Sequence, residues 1–297
     1  MVKSTYTDNE KKLRQKALWA KILGQSFIWI VLILMYVPIL VLIAFSFTEA
    51  TELGTWSGFS FQLYADLFSS EEIMVALGNT LIIAVCSALI SVILGTTGAI
   101  GIYYSKKRRR MMVEGITQVQ VANAEIVIAL SLTVMFVFIG TYIFNGANIF
   151  SFWTLLIGHV ILSLPFVYLN VKPKLQQMDP ALYEAALDLG CTQRQAVRKA
   201  IIPEVLPGAF SGFLLAITLS LDDFIVTAFL RGAGLLSGDA TIETLSTLVQ
   251  AKIKKGPIPT EMRALTTIIF LVVLSIVIGM TIYSNFQAKK AKKRPGR

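Results

Sequence analysis

Residues 26–47 carry no charged side chain, and uncharged runs of comparable or greater length recur at 73–105 and 264–288. An α-helix needs roughly 20 predominantly apolar residues to cross about 30 Å of hydrocarbon, and in lipid the backbone must satisfy its own hydrogen bonds. Runs of this kind restrict the chain to membrane-spanning helices. Composition agrees: 55% of the 297 residues are apolar, 15% are charged and the mean hydropathy is +0.68. Soluble globular proteins carry about a quarter charged residues. A water-soluble enzyme and a disordered chain are both excluded.

Six spans are expected, at about 26–47, 78–104, 118–142, 150–171, 207–230 and 264–288, giving an all-α membrane protein. They lie between a basic tail at 1–25 and a second at 289–297. The first run is too long for a cleaved signal peptide and lacks a small-residue cleavage site. Between 115 and 171 the only charged residue is Glu125, so that stretch holds two spans, parted at the turn-forming Asn145-Gly146-Ala147-Asn148. If six spans alternate, 22 Lys and Arg residues fall on one side and five on the other. The positive side faces the cytoplasm, so both termini are expected there. The net charge of +9 then belongs to loops beside anionic lipid. The basic runs 106–110 and 289–297 contain no interleaved aromatics, which suits topology anchors and not a nucleic-acid partner.

Two cysteines, Cys86 and Cys191, make no disulfide framework, and the single histidine, His159, makes no metal centre by itself. In an apolar span His159 is expected to form hydrogen bonds between helices. An intramembrane enzyme would need convergent catalytic groups, which this inventory does not offer. An ATP-independent channel is the other competing class.

The stretch 172–206 argues against a passive channel, because it is longer than a plain connection and reads as two short helices. Asp179-Pro180 supplies a cap followed by proline at the first helical position. The segment 181–189 then reads as helix, and Gly190 suits the left-handed position that stops it. Thr192 with Gln195 forms a capping-box pair for a second helix, which Pro203 is expected to end, with Pro207 opening the next span. The first helix mixes small and apolar residues with Glu184 and Asp188 and has no base, so it suits a protein groove better than anionic lipid.

Glu184-Ala185-Ala186, three residues, Gly190, then twelve residues to Pro203 resembles the EAA loop of ABC-importer permeases. The family pattern ends Ile-x-Leu-Pro where this chain has Ala200-Ile201-Ile202-Pro203, which keeps the apolar character and the final proline. The resemblance covers about 60–285 and implies the type I importer permease (MetI-like) fold, with cytoplasmic coupling helices. It marks Glu184, Ala185, Ala186, Asp188, Gly190 and Pro203 as the elements that couple to an ATPase. The partners it implies are a second, homologous but distinct permease subunit, two copies of a cytoplasmic ATPase and an extracytoplasmic solute-binding protein. No Gly-x-x-x-x-Gly-Lys-Ser/Thr occurs in the chain, so ATP and Mg are expected in the separate ATPase and no cofactor in this chain.

Three acids fall inside the spans. Asp222 and Asp223 lie about fifteen residues beyond Pro207, roughly 22 Å along a helix and so in the outer half of the membrane. Buried ionisable groups cost several kcal/mol and mark a pathway or a partner. On a continuous helix the two point about 100° apart, so one faces the path while the other pairs elsewhere, with Arg231 or a second subunit. A gate or cation-attracting pair and an ion-pair or helix-capping role both remain open. Glu125 is expected early in the third span, near the cytoplasmic face. The string Leu219-Ser220-Leu221-Asp222-Asp223-Phe224-Ile225-Val226-Thr227 resembles the C-type permease subunits of spermidine/putrescine importers, and Ala124-Glu125-Ile126 resembles their Pro-Asp-Ile without the proline. That resemblance implies polyamine cargo, a polyamine-binding external protein, and a pathway or gate role for Asp222, Asp223 and Glu125. A related importer for another small solute is the alternative.

Overall fold

Long uncharged stretches dominate the chain, and the computed structural model folds them as helices; it describes residues 8–50, 55–234, 238–255 and 260–292. In chain order the α-helices among these are α1 Asp8–Phe45, α2 Gln62–Ser69, α3 Glu71–Tyr103, α4 Lys107–Ala122, α5 Glu125–Tyr142 and α6 Phe152–Gln177. They continue as α7 Ala181–Asp188, α8 Gln193–Ala196, α9 Ile202–Asp222, α10 Ile225–Leu230, α11 Leu245–Lys255 and α12 Glu261–Lys292. A short antiparallel ribbon, β1 Ala233–Gly234 with β2 Gly238–Thr241, is the exception to an all-α fold. Five helical stretches among the described residues are long and apolar enough to cross a membrane: 21–45, 71–103, 125–142, 152–177 and 193–222. The sixth uncharged run, 264–288, lies within α12.

The chain divides into two compact units, Met1–Ser69 with Ile258–Arg297 and Ser70–Pro257. In the first, the Arg263 guanidinium donates to the Ala50 carbonyl (2.9 Å), and Phe47 stacks on Phe59 at 5.3 Å between centroids.

In the second, α3, α6 and α9 pack together through small residues. On α3, Ala84, Ser87, Ala88 and Ser91 are buried while Leu81, Val85, Leu89 and Ile93 are exposed. This is the polarity expected in lipid, where close backbone approach and hydrogen bonds, not apolar burial, hold helices together. A Cβ on Gly95 would lie 2.7 Å from Val167 Cγ1, and one on Gly212 3.1 Å from Val167 Cα, so α3 and α9 close on α6 from two sides only without those side chains.

Pro165 in α6 has no N–H and leaves the Ile161 carbonyl without its helical donor. Gln120 of α4 fills the gap, donating from Nε2 to Ile161 O at 2.7 Å. Glu114, also on α4, accepts from Lys172 Nζ and Arg110 Nε, both at 3.0 Å. The Lys172 hydrogen bond, and after it that of Arg110, holds the Glu114 carboxyl below the usual carboxylate range. These contacts tie α4 along α6. The expected third span, 118–142, is accordingly two helices, with Asn123 and Ala124 extended between them although the family's proline is absent.

Candidate functional site

The elbow between α6 and α9 is built from local caps. Asp179 Oδ1 accepts from Ala181 N (2.9 Å) at the start of α7, and Gly190 takes φ +85°, the left-handed conformation that ends it. Thr192 N donates to Gln195 Oε1 (2.9 Å) and Gln195 N to Thr192 Oγ1 (3.4 Å), so both arms of the capping box close. The inner side of α7 is pinned: Leu182 and Tyr183 pack against the core around Val171, Ile201 and Val205. Tyr183 lies 5.2 Å from Tyr104 between ring centroids, and burial, with Tyr103 and Tyr183 alongside, raises the Tyr104 phenol above its ordinary value. Its outer side exposes Glu184, Ala185 and Asp188, followed by Leu189 at 86% exposure and by Gly190; Ala186 is half-buried.

Pro203 differs from expectation. It does not stop the second helix but sits in the first turn of α9, where a missing N–H costs least. The turn before it, Val197–Ile201, widens to a π-helix, with Ile202 N donating to Val197 O. This widening relieves the clash a proline ring makes with the carbonyl four residues back. Helix thus continues from α8 into α9, and 193–222 runs about 45 Å from the elbow to the acids.

At the far end the expected continuous fifth span is broken. Helix α9 ends at Asp222, Asp223 is extended (ψ 124°), and α10 begins at Ile225. Asp222 is exposed. Asp223 is 5% exposed, and its carboxylate accepts from Val226 N (3.1 Å), Thr227 N (2.9 Å) and Thr227 Oγ1 (3.1 Å). Asp223 therefore takes the helix-capping role, and Arg231 pairs with Glu243 at 3.8 Å instead. Ser246 Oγ donates to the Asp223 carbonyl at 2.7 Å and fixes the break from the α11 side.

Glu125, the exposed first residue of α5, lies within electrostatic reach of both Asp223 and Asp222. Its expected place near the cytoplasmic face is corrected. Helix α4 already carries the chain as deep as Ile161, midway along α6, before α5 begins. The three acids marked in the sequence thus lie within electrostatic reach of one another at the level of the break, two of them exposed and one buried as a cap. Sequence reasoning missed the groups that build this level, namely Ser87, Ser220 and Thr227. Their signal was faint: Ser220 lies three residues before Asp223 and Thr227 four after, a spacing that places hydroxyls on both flanks of the break.

Residues 91–292 match the family described as binding-protein-dependent transport system inner membrane component. The spermidine/putrescine transport system permease protein PotC of Haemophilus influenzae is 32% identical over 256 residues, covering 86% of this chain and 94% of that protein. The putrescine transport system permease protein PotI of Escherichia coli is 31% identical over 261 residues, 88% of this chain and 89% of that one. Among solved structures, a chain of a bacterial ABC transporter involved in import of the acidic polysaccharide alginate superposes with TM-score 0.69 over 96% of this chain and 99% of that one. At 20% identity that likeness concerns the fold.

Proposed function

The chain belongs to the family of inner membrane components of binding-protein-dependent transport systems, and from that premise we propose that it is one permease half of an ATP-driven polyamine importer. Its homology to the PotC and PotI permeases supports spermidine or putrescine as cargo. The observation that carries the reading is an exposed Glu125 within electrostatic reach of the exposed Asp222, beside the break after α9. Polyamines are flexible chains of ammonium groups, and charge-assisted hydrogen bonds to carboxylates are the strong ones. A low-dielectric span strengthens them further.

In this reading a second, homologous permease completes the pore, and a polyamine-binding protein delivers cargo from outside. Two copies of an ATPase, holding ATP and Mg, sit against the cytoplasmic face, where both termini also lie. The outer side of α7, with Glu184, Ala185 and Asp188, seats in the ATPase, and Gly190 and Pro203 shape the elbow behind it. When the ATPases close on ATP they move α7, and the pinned Tyr183 ring carries the motion into the core. The helix that runs on from α8 delivers it to Asp222, so the acids shift between outward and inward access as a rigid-body movement.

Competition tests the substrate. In proteoliposomes holding the assembled importer and its binding protein, excess unlabelled spermidine or putrescine is expected to suppress uptake of labelled spermidine, and an amino acid of equal charge is not. Uptake that ignores unlabelled polyamine would refute the assignment.

A further inference from the structure

His159 is the sole histidine of the chain and is fully buried in the middle of an apolar helix. Both ring nitrogens have partners from different elements. Nδ1 lies 2.8 Å from Ser220 Oγ on α9, and Nε2 lies 3.0 Å from Thr227 Oγ1 on α10. The two hydroxyls stand on opposite sides of the break at Asp223, so one imidazole spans it.

The proton positions follow from the neighbours. Thr227 Oγ1 donates to Asp223 Oδ2 at 3.1 Å, which leaves it to accept from His159 Nε2–H. On the other flank a neutral ring protonated on Nε2 has a bare Nδ1, so Ser220 donates to it, and Ser87 Oγ of α3 in turn lies 3.3 Å from Ser220 Oγ as donor. The chain of donors runs Ser87 to Ser220 to His159 to Thr227 to Asp223, with the Ser220 and Thr227 hydroxyls each accepting once and donating once; Ser87 Oγ also lies 3.2 Å from Ala84 O. An imidazolium would reverse the Ser220 bond and place a second charge in a site without exposure. Asp223 Oδ2 is 3.6 Å from Nε2, too far for a direct hydrogen bond, and already accepts two.

We propose that His159 is a positioning residue: its neutral imidazole, protonated on Nε2, is the crossbar that clamps both halves of the broken fifth span to α6 and so sets where Asp222 presents its carboxylate. The crossbar also explains the tight seat of α10 on α6, where a Cβ on Gly158 would lie 2.8 Å from Val226 Cγ1. Only the identity of the cargo in the transport arm below rests on the polyamine reading.

With a single histidine in the sequence, ¹⁵N-histidine labelling of the full chain in lipid nanodiscs, purified through a tag without histidine, yields one imidazole. At neutral pH its nitrogen spectrum is expected to show one protonated nitrogen, assigned to Nε2, and one bare nitrogen at Nδ1. Ser220→Ala is expected to shift the Nδ1 resonance, and Thr227→Val the Nε2 resonance. A doubly protonated ring, an Nδ1–H tautomer, or resonances insensitive to both substitutions would overturn the proposal, whatever the importer carries. In the assembled importer His159→Phe is expected to raise the KM for spermidine about tenfold, the scale of a small misplacement of a binding group. An unchanged KM in a folded, assembled variant would equally overturn it.

Discussion

Asp223→Ala is expected to destabilise the assembled protein by about 4 kcal/mol, because three buried donors lose their acceptor at roughly 1–3 kcal/mol each and such losses are not additive. The donors are Val226 N, Thr227 N and Thr227 Oγ1. The start of α10 would fray, and Ile225–Leu230 would loosen from α6 and α5. A fall in thermal unfolding temperature, with little protein reaching the membrane, would register this. The neighbouring Asp222→Asn should behave in the opposite way. Its carboxylate is exposed and caps nothing, so stability and assembly stay at the parent level. Loss of about 2 kcal/mol of charge-assisted contact to an ammonium group is expected to raise the KM for spermidine roughly thirtyfold. Equal stability losses at the two positions would contradict the division of labour between them.

Ala185→Arg is expected to abolish copurification of the ATPase. The side chain is exposed on the outer side of α7, and nothing in the fold of this chain opposes a longer one there. A groove that accepts a small-residue helix cannot accept a guanidinium, and burying it unpaired costs several kcal/mol, about a hundredfold or more in affinity. Thermal stability of the permease should not change. Tyr183→Phe, which keeps the ring against Tyr104, should leave both copurification and transport intact. Undiminished recovery of the ATPase with the Ala185→Arg variant would show that the motor docks elsewhere.

What could be read in the sequence was whatever short-range chemistry decides. The caps at Asp179 and Thr192 and the left-handed turn at Gly190 depend on residues within four positions of one another, and they fold as their sequence dictates. The break after Asp222 could not be read, because no proline or glycine lies between Leu221 and Ile225. It is held by His159, which is more than sixty positions away from Asp223, and by Ser246 in the first turn of α11. Pro203 misled for a related reason: a proline stops a helix unless the preceding turn widens, and the widening is a backbone adjustment without a side-chain signature. The depth of Glu125 was hidden because α4 is not apolar enough to read as membrane-embedded, and its tie to Ile161 through Gln120 is a tertiary contact that a proline on another helix creates.

The proposed function requires this chain to move polyamine only when a separate ATPase drives it through α7. Uptake of labelled spermidine into proteoliposomes carrying both permeases, the ATPase and the binding protein tests it most directly, with ATP enclosed or replaced by a non-hydrolysable analogue. Accumulation against the gradient is expected with ATP and is expected to vanish with the analogue. Equal spermidine flux in both preparations, or flux from the permeases without the ATPase, would contradict the account.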